Sequence, residues 1–156
     1  MRKVFAGLAI LLVLAIVVQF FLAGAGAFDT APNDESFQPH RALGYGIVLF
    51  AVVLTILAAL ARMPGRLIGM TALIAGLGVL QGLIRAVAGA FNDTGDTTTT
   101  AGQLVFGLHA INALVMMAVA GTVARQARVL SGSTVTGRPA GPDNRTGVSG
   151  PAPSAS

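Results

Sequence analysis

Four long apolar runs, at 4–25, 42–61, 67–90 and 104–124, leave this chain few ways to fold. Each reaches the length of about 20 residues that an α-helix needs to cross a hydrocarbon layer of ~30 Å. Lipid offers backbone N–H and C=O groups no water, so a spanning segment must satisfy them internally, as a helix does. A closed barrel would need a strand-length alternating pattern that these runs lack. The connections "FDTAPNDESFQPHR", "RMPGR" and "FNDTGDTTTTAGQ" are short and carry helix breakers. Short loops make successive helices antiparallel. The expected fold is therefore all-α, an integral membrane up-down-up-down four-helix bundle over 1–128. Residues 129–156, rich in Gly, Pro, Ser and Thr with little to bury, are expected to form a disordered cytoplasmic tail.

Composition narrows the function classes. Of the 156 residues only 10% are charged and 54% are hydrophobic, against roughly 25% charged in a soluble domain. The net charge of +4 comes from basic residues scattered at the ends of the runs, without the stripe or motif of a nucleic-acid binder. Cysteine is absent, which excludes disulfides, thiolate zinc sites, iron–sulfur clusters and covalent haem attachment. No G-x-S-x-G or H-E-x-x-H motif occurs and no carboxylate lies inside a run, so hydrolase chemistry is not expected. Transporters usually carry internal repeats or broken helices, and neither is evident in the sequence.

Charge bias gives an expected orientation. Arg2, Lys3, Arg62, Arg66, Arg125 and Arg128 flank one set of ends, and Asp29, Asp34, Glu35, Asp93 and Asp96 fall in the first and third loops. Positive residues favour the cytoplasm, so both termini are expected there, in a bacterial plasma membrane. The opening "MRK", the apolar stretch and "AGAGAF" also resemble a signal peptide, with cleavage near Ala27. The apolar stretch exceeds the ~7–15 residues of a secretory signal, so the first run is expected to remain as a helix.

The polar residues inside the runs are the candidate site. Counting about 1.5 Å per residue from Lys3, Arg66 and Arg125 puts Gln19, Gln81 and His109 at one depth, roughly 23–24 Å from the cytoplasmic side. Arg85 lies one turn further out than Gln81, Asn112 one turn inside His109, and His40 with Arg41 at the outer rim. The inner half offers little beyond Thr55 and Thr71. Intramembrane polar groups are costly and normally face one another or a wet cavity. Two readings follow. The groups make interhelical hydrogen bonds that hold an otherwise plain accessory or structural module, with Arg85 snorkelling toward Asp93 or Asp96. Alternatively, they form a ligand site.

His40 and His109 lie on the second and fourth runs, which are diagonal partners in a sequential bundle. Imidazoles from both could serve as axial ligands of a haem b iron, with Arg41 and Arg85 toward the propionates. The same depth count places His40 about 9 Å further out than His109, an offset that helix tilt would have to absorb. On the third run Gly78, Gly82, Ala86 and Ala90 are spaced four apart. They are expected to pack inside the bundle, with a homodimer contact or a wall beside a planar cofactor as the alternatives.

"VQFFLAGAG", "FQPHRALGYG" and "LHAINAL" resemble an uncharacterised family of small four-helix membrane proteins from high-GC Gram-positive bacteria, over residues 1–128. More distantly the arrangement is similar to one half of haem A synthase, whose four-helix units place His-Arg at the start of the second helix and a histidine in the fourth. His40, Arg41 and His109 match that pattern. Phe37 stands where the enzyme has a glutamate, and the enzyme's loop cysteines are missing. The resemblance thus implies a non-catalytic haem b site or the scaffold alone.

Overall fold

The computed structural model describes residues 1–91 and 99–132. It contains α1 (Arg2–Ala27), a one-turn α2 (Asn33–Ser36), α3 (Gln38–Leu60), α4 (Gly65–Ala90) and α5 (Thr100–Gly132). The described residues are helical apart from short turns, and four of the helices are long and apolar enough to cross a membrane. α1 packs against α3 and α5, and α4 packs against the same two. No close backbone approach joins α3 to α5 or α1 to α4, so these are the two diagonals of a four-cornered bundle. We call the end bearing the N-terminus and the α3–α4 turn proximal, and the end bearing the α1–α3 connection distal.

Helix boundaries depart from the apolar runs for local reasons. α3 begins at Gln38, ahead of the apolar stretch, because Pro39 falls in its first turn, where a missing N–H costs nothing. This carries His40 and Arg41 into the helix. α5 begins at Thr100, where the Thr99 hydroxyl accepts the Gly102 N–H at 3.0 Å as an N-cap. It runs on to Gly132, past both the expected end of the fourth run and the start of the expected tail; the tail from 133 onward, with Asp93 and Asp96, lies outside the described residues. α3 ends with Arg62 at φ 50° and with the Met63 N–H donating to the Ala58 carbonyl at 2.9 Å, a left-handed closure made without glycine.

The core follows steps of three and four residues. Phe5, Ala9, Leu12 and Ile16 face inward from α1, Ile47, Ala51, Leu54 and Ala58 from α3, and Leu67, Thr71, Ile74 and Gly78 from α4. Asn112, Met116, Ala120, Val123 and Ala127 do so from α5. A mean step close to the 3.6-residue turn keeps one narrow seam on the bundle axis. Outside the seam, Phe21, Leu49, Val79 and Leu114 are exposed, which is compatible with insertion into a membrane.

This period corrects the expected small-residue face. Only Gly78 is buried; Gly82, Ala86 and Ala90 are exposed. A strict four-residue spacing outruns the 3.6-residue turn by about 40° per step, so the stripe rotates out of the interface. At Gly78 a Cβ would stand 2.6 Å from Val48 Cγ2, and this one glycine brings α4 against α3.

Candidate functional site

Continuing each seam by one step in the distal direction gives the candidate residues. On α1, Gln19 follows Ile16; on α4, Gln81 follows Gly78. On α5, Asn112 and His109 precede Met116, and on α3, His40 lies two turns before Ile47. Positions that hold leucine and isoleucine proximally hold amides and imidazoles distally. Register alone turns them inward.

The contacts are reciprocal. Gln19 Nε2 donates to the His40 carbonyl at 2.8 Å and lies 3.3 Å from His40 Nε2. His40 Nδ1 lies 3.1 Å from the Gln19 carbonyl oxygen, which can only accept. One tautomer, with its proton on Nδ1, satisfies both contacts: Nδ1–H donates to the carbonyl and Nε2 accepts from the amide. Gly44, one turn along α3, leaves room for this; a Cβ there would meet Gln19 Nε2 at 3.1 Å. Across the bundle, Gln81 Nε2 donates to the His109 carbonyl at 3.1 Å, and Asn112 Nδ2 donates to the Leu77 carbonyl at 2.9 Å.

The two histidines meet on the diagonal, with ring centroids 6.2 Å apart and planes inclined at 46°. The large axial offset expected from counting residues is absent. Arg125 is not the end of its helix: α5 continues to Gly132, and the Pro64–Arg66 turn lies alongside Arg125, Gln126, Val129 and Leu130. A count from Arg125 therefore starts higher along the bundle than one from Arg62, and His109 sits correspondingly nearer to His40.

Two aromatic residues complete the pair: Phe37, known from the sequence only as standing in place of a glutamate, and Phe106, which the sequence did not single out. Phe37 approaches His40 edge-on at 6.1 Å, and Phe106 stacks on His109 at 5.2 Å with planes 13° apart. Each is three residues ahead of its histidine, in "FQPH" and "FGLH". Together with the glutamine-to-histidine-carbonyl bonds, this makes the α1–α3 and α4–α5 hairpins two versions of one motif. The repeat is hidden in the sequence because glutamine and histidine are 21 residues apart in one hairpin and 28 in the other. The halves differ in one detail. His40 Nδ1 is bonded, whereas His109 Nδ1, Gln19 Oε1 and Gln81 Oε1 are buried without a hydrogen-bond partner among the described residues.

The arginines do not join the pair. Arg41 binds Asp34, with Nη1 3.4 Å from Oδ1 and Nη2 donating to the Asp34 carbonyl, and so ties α3 to α2. Arg85 is exposed on α4. No cluster of three or more His, Asp or Glu side chains occurs among the described residues.

A model of a family of unknown function, DUF6220, matches residues 19–90, somewhat under half of the chain. The match includes Gln19, His40, Arg41, Gln81 and Arg85 and leaves out His109 and Asn112, so the similarity covers one histidine of the pair. No curated protein and no solved structure matches the chain.

Proposed function

We propose that this chain is an integral membrane protein with both termini in the cytoplasm, whose distal, outward half holds a b-type haem between His40 and His109. The observation that carries the reading is the pair of imidazoles reaching each other across the diagonal, 6.2 Å between ring centres. Two imidazoles that share one metal, each with a nitrogen about 2 Å from it, have ring centres on the order of 6 Å apart. The donor set is right for a haem iron and for a chain without cysteine. The orphaned His109 Nδ1 and glutamine oxygens fit a site completed by something beyond this chain, since a buried polar group left unpaired costs about 1–3 kcal/mol.

In this reading the residues have separate roles. The Gln19 carbonyl accepts a hydrogen bond from His40 Nδ1–H, which fixes the tautomer and would leave Nε2 as the ligating atom. The Gln19 amide gives up its longer contact to that nitrogen and keeps its bond to the His40 carbonyl. Phe37 and Phe106 pack against the two imidazoles and would hold their orientation. Such a bound group would supply one-electron exchange near the outer face. Arg41, held by Asp34 at the rim, would reach a propionate only by leaving that partner.

Orientation rests on charge. Arg2, Lys3, Arg62, Arg66, Arg125 and Arg128 belong to the proximal end, and Asp29, Asp34 and Glu35 to the distal end. The chain lacks cysteine, so single reporters are clean: Asp34→Cys should react with an impermeant maleimide on intact cells, and Ser131→Cys only after lysis. The haem test is a visible spectrum of the full chain purified in mild detergent from haem-replete cells. A Soret band lost in His40→Ala and in His109→Ala is expected; a colourless wild-type preparation removes the reading.

A second reading, a non-enzymatic membrane module, is favoured by the two glutamine-to-carbonyl bonds, which clamp neighbouring helices without any ligand. Under it the protein is colourless, His40→Ala folds normally, and the exposed Gly82, Ala86 and Ala90 give a second copy or another membrane protein close access to α4.

A further inference from the structure

At the proximal end the start of α4 and the end of α5 enclose a groove of about 330 Å³, lined by Pro64, Arg66, Arg125, Gln126, Val129 and Leu130. Hydropathy places the end of the fourth span at 124, but the helix continues for two further turns, and those turns form one wall. Its lining is almost wholly apolar, and the charge stands at its rim. Arg66 and Arg125, from different helices, line it mainly with their aliphatic stems while the residues themselves stay exposed, and Pro64, Val129 and Leu130 give it an apolar lip. α4 begins here with no side chain capping its first turn, so free N–H groups add to the positive field. Arg62 and Arg128 are close in sequence, and every acidic residue among those described lies at the other end of the bundle.

We infer that this groove is a site for an anionic phospholipid, the start of its acyl chain along the apolar lining at Val129 and Leu130 and its phosphate at the rim with the exposed Arg66 and Arg125. Guanidinium groups pair with phosphate oxygens in a forked geometry, and a free helix N-terminus favours the same anion. A soluble phosphate compound would have no use for the apolar lip, whereas a lipid uses both halves. The inference rests on the reading that the four helices span a membrane, and it is independent of haem.

The test uses the full chain in nanodiscs, or extracted in mild detergent, with phosphatidylglycerol and phosphatidylcholine as probes and retained lipid counted by native mass spectrometry. Wild type should retain phosphatidylglycerol over phosphatidylcholine by roughly tenfold, given two arginines at a charged surface. Arg66→Gln/Arg125→Gln should lose that preference. Arg66→Lys/Arg125→Lys, which keeps the charge, should keep part of it, and this separates lipid binding from failure to fold. Arg2→Gln/Lys3→Gln, an equal charge loss at the same end, should behave as wild type. The inference is overturned if wild type shows no preference, if the control variant loses it equally, or if millimolar inorganic phosphate displaces the lipid, which would mark a free-anion site. If the spanning reading itself fails, wild type leaves the membrane fraction in an alkaline wash before any lipid is counted.

Discussion

The proximal and distal halves of this bundle share one seam and one helix period, yet they treat polar groups in opposite ways. In the proximal half the Thr55 hydroxyl donates to the Ala51 carbonyl, and Thr71, fully buried, donates to Leu67 and Ile68. Each is satisfied by its own helix, and the space between helices is filled by Leu12, Leu54, Leu67, Ile74 and Val123. In the distal half Gln19, Gln81 and Asn112 reach across to carbonyls of neighbouring helices. The difference teaches that the dry half needs only shape to hold together. The distal half has replaced shape with directional bonds and still leaves three buried atoms unpaired. A bundle built for stability alone would have no reason to do this, because amides between apolar helices contribute little: about 0.6 kcal/mol each on average.

Substitutions that attack one half at a time sharpen the contrast. The largest effect is expected at Leu54→Ala, where a fully buried side chain leaves a cavity among four helices. A loss of roughly 2 kcal/mol, the low end of the range for such truncations because lipid takes the place of water, should appear as a lower midpoint of thermal unfolding in detergent. His40 and His109 should keep their environments in that variant. A smaller loss, about 1 kcal/mol, is expected for Gln19→Leu, which removes two contacts to His40 and lets its ring turn. Gln81→Leu removes one bond and should cost less, and a reversal of that order would break the assignment of the two hairpins. The smallest effect belongs to Arg41→Gln. Its partner Asp34 is 92% exposed, and an exposed pair is worth about 0–1 kcal/mol. A large effect there would mean that the α2 turn has a wider role than tying down the α1–α3 connection.

The helices were legible in the sequence because a helix apolar enough to cross a membrane leaves a twenty-residue signature. Their ends were not, since Pro39, Thr99 and the two extra turns of α5 act through capping and local hydrogen bonds that hydropathy does not register. The inward direction of Gln19, Gln81 and His109 could be read from the cost of leaving a polar group on an apolar outer surface. Their partners could not, because a glutamine that bonds a backbone carbonyl leaves no complementary side chain to find. The small-residue stripe misled for a geometric reason: a four-residue spacing looks like one face over two steps and leaves that face over three. The repeated F-x-x-H was present in the letters, at the i, i+3 spacing that puts two side chains on one helix face. Nothing in the sequence marks it as a pairing device, because a phenyl ring in or beside an apolar run carries no polar signal.

The central claim is that the two histidines face each other on the bundle axis. The chain contains only two histidines, so selective labelling of that residue type gives a spectrum with two imidazoles in it. Nuclear Overhauser measurements on the haem-free protein in detergent test the claim directly. Rings with centres 6.2 Å apart predict cross-peaks between the ring protons of His40 and His109 that vanish in His40→Ala. Two well-resolved imidazole signals with no cross-peak between them would contradict it.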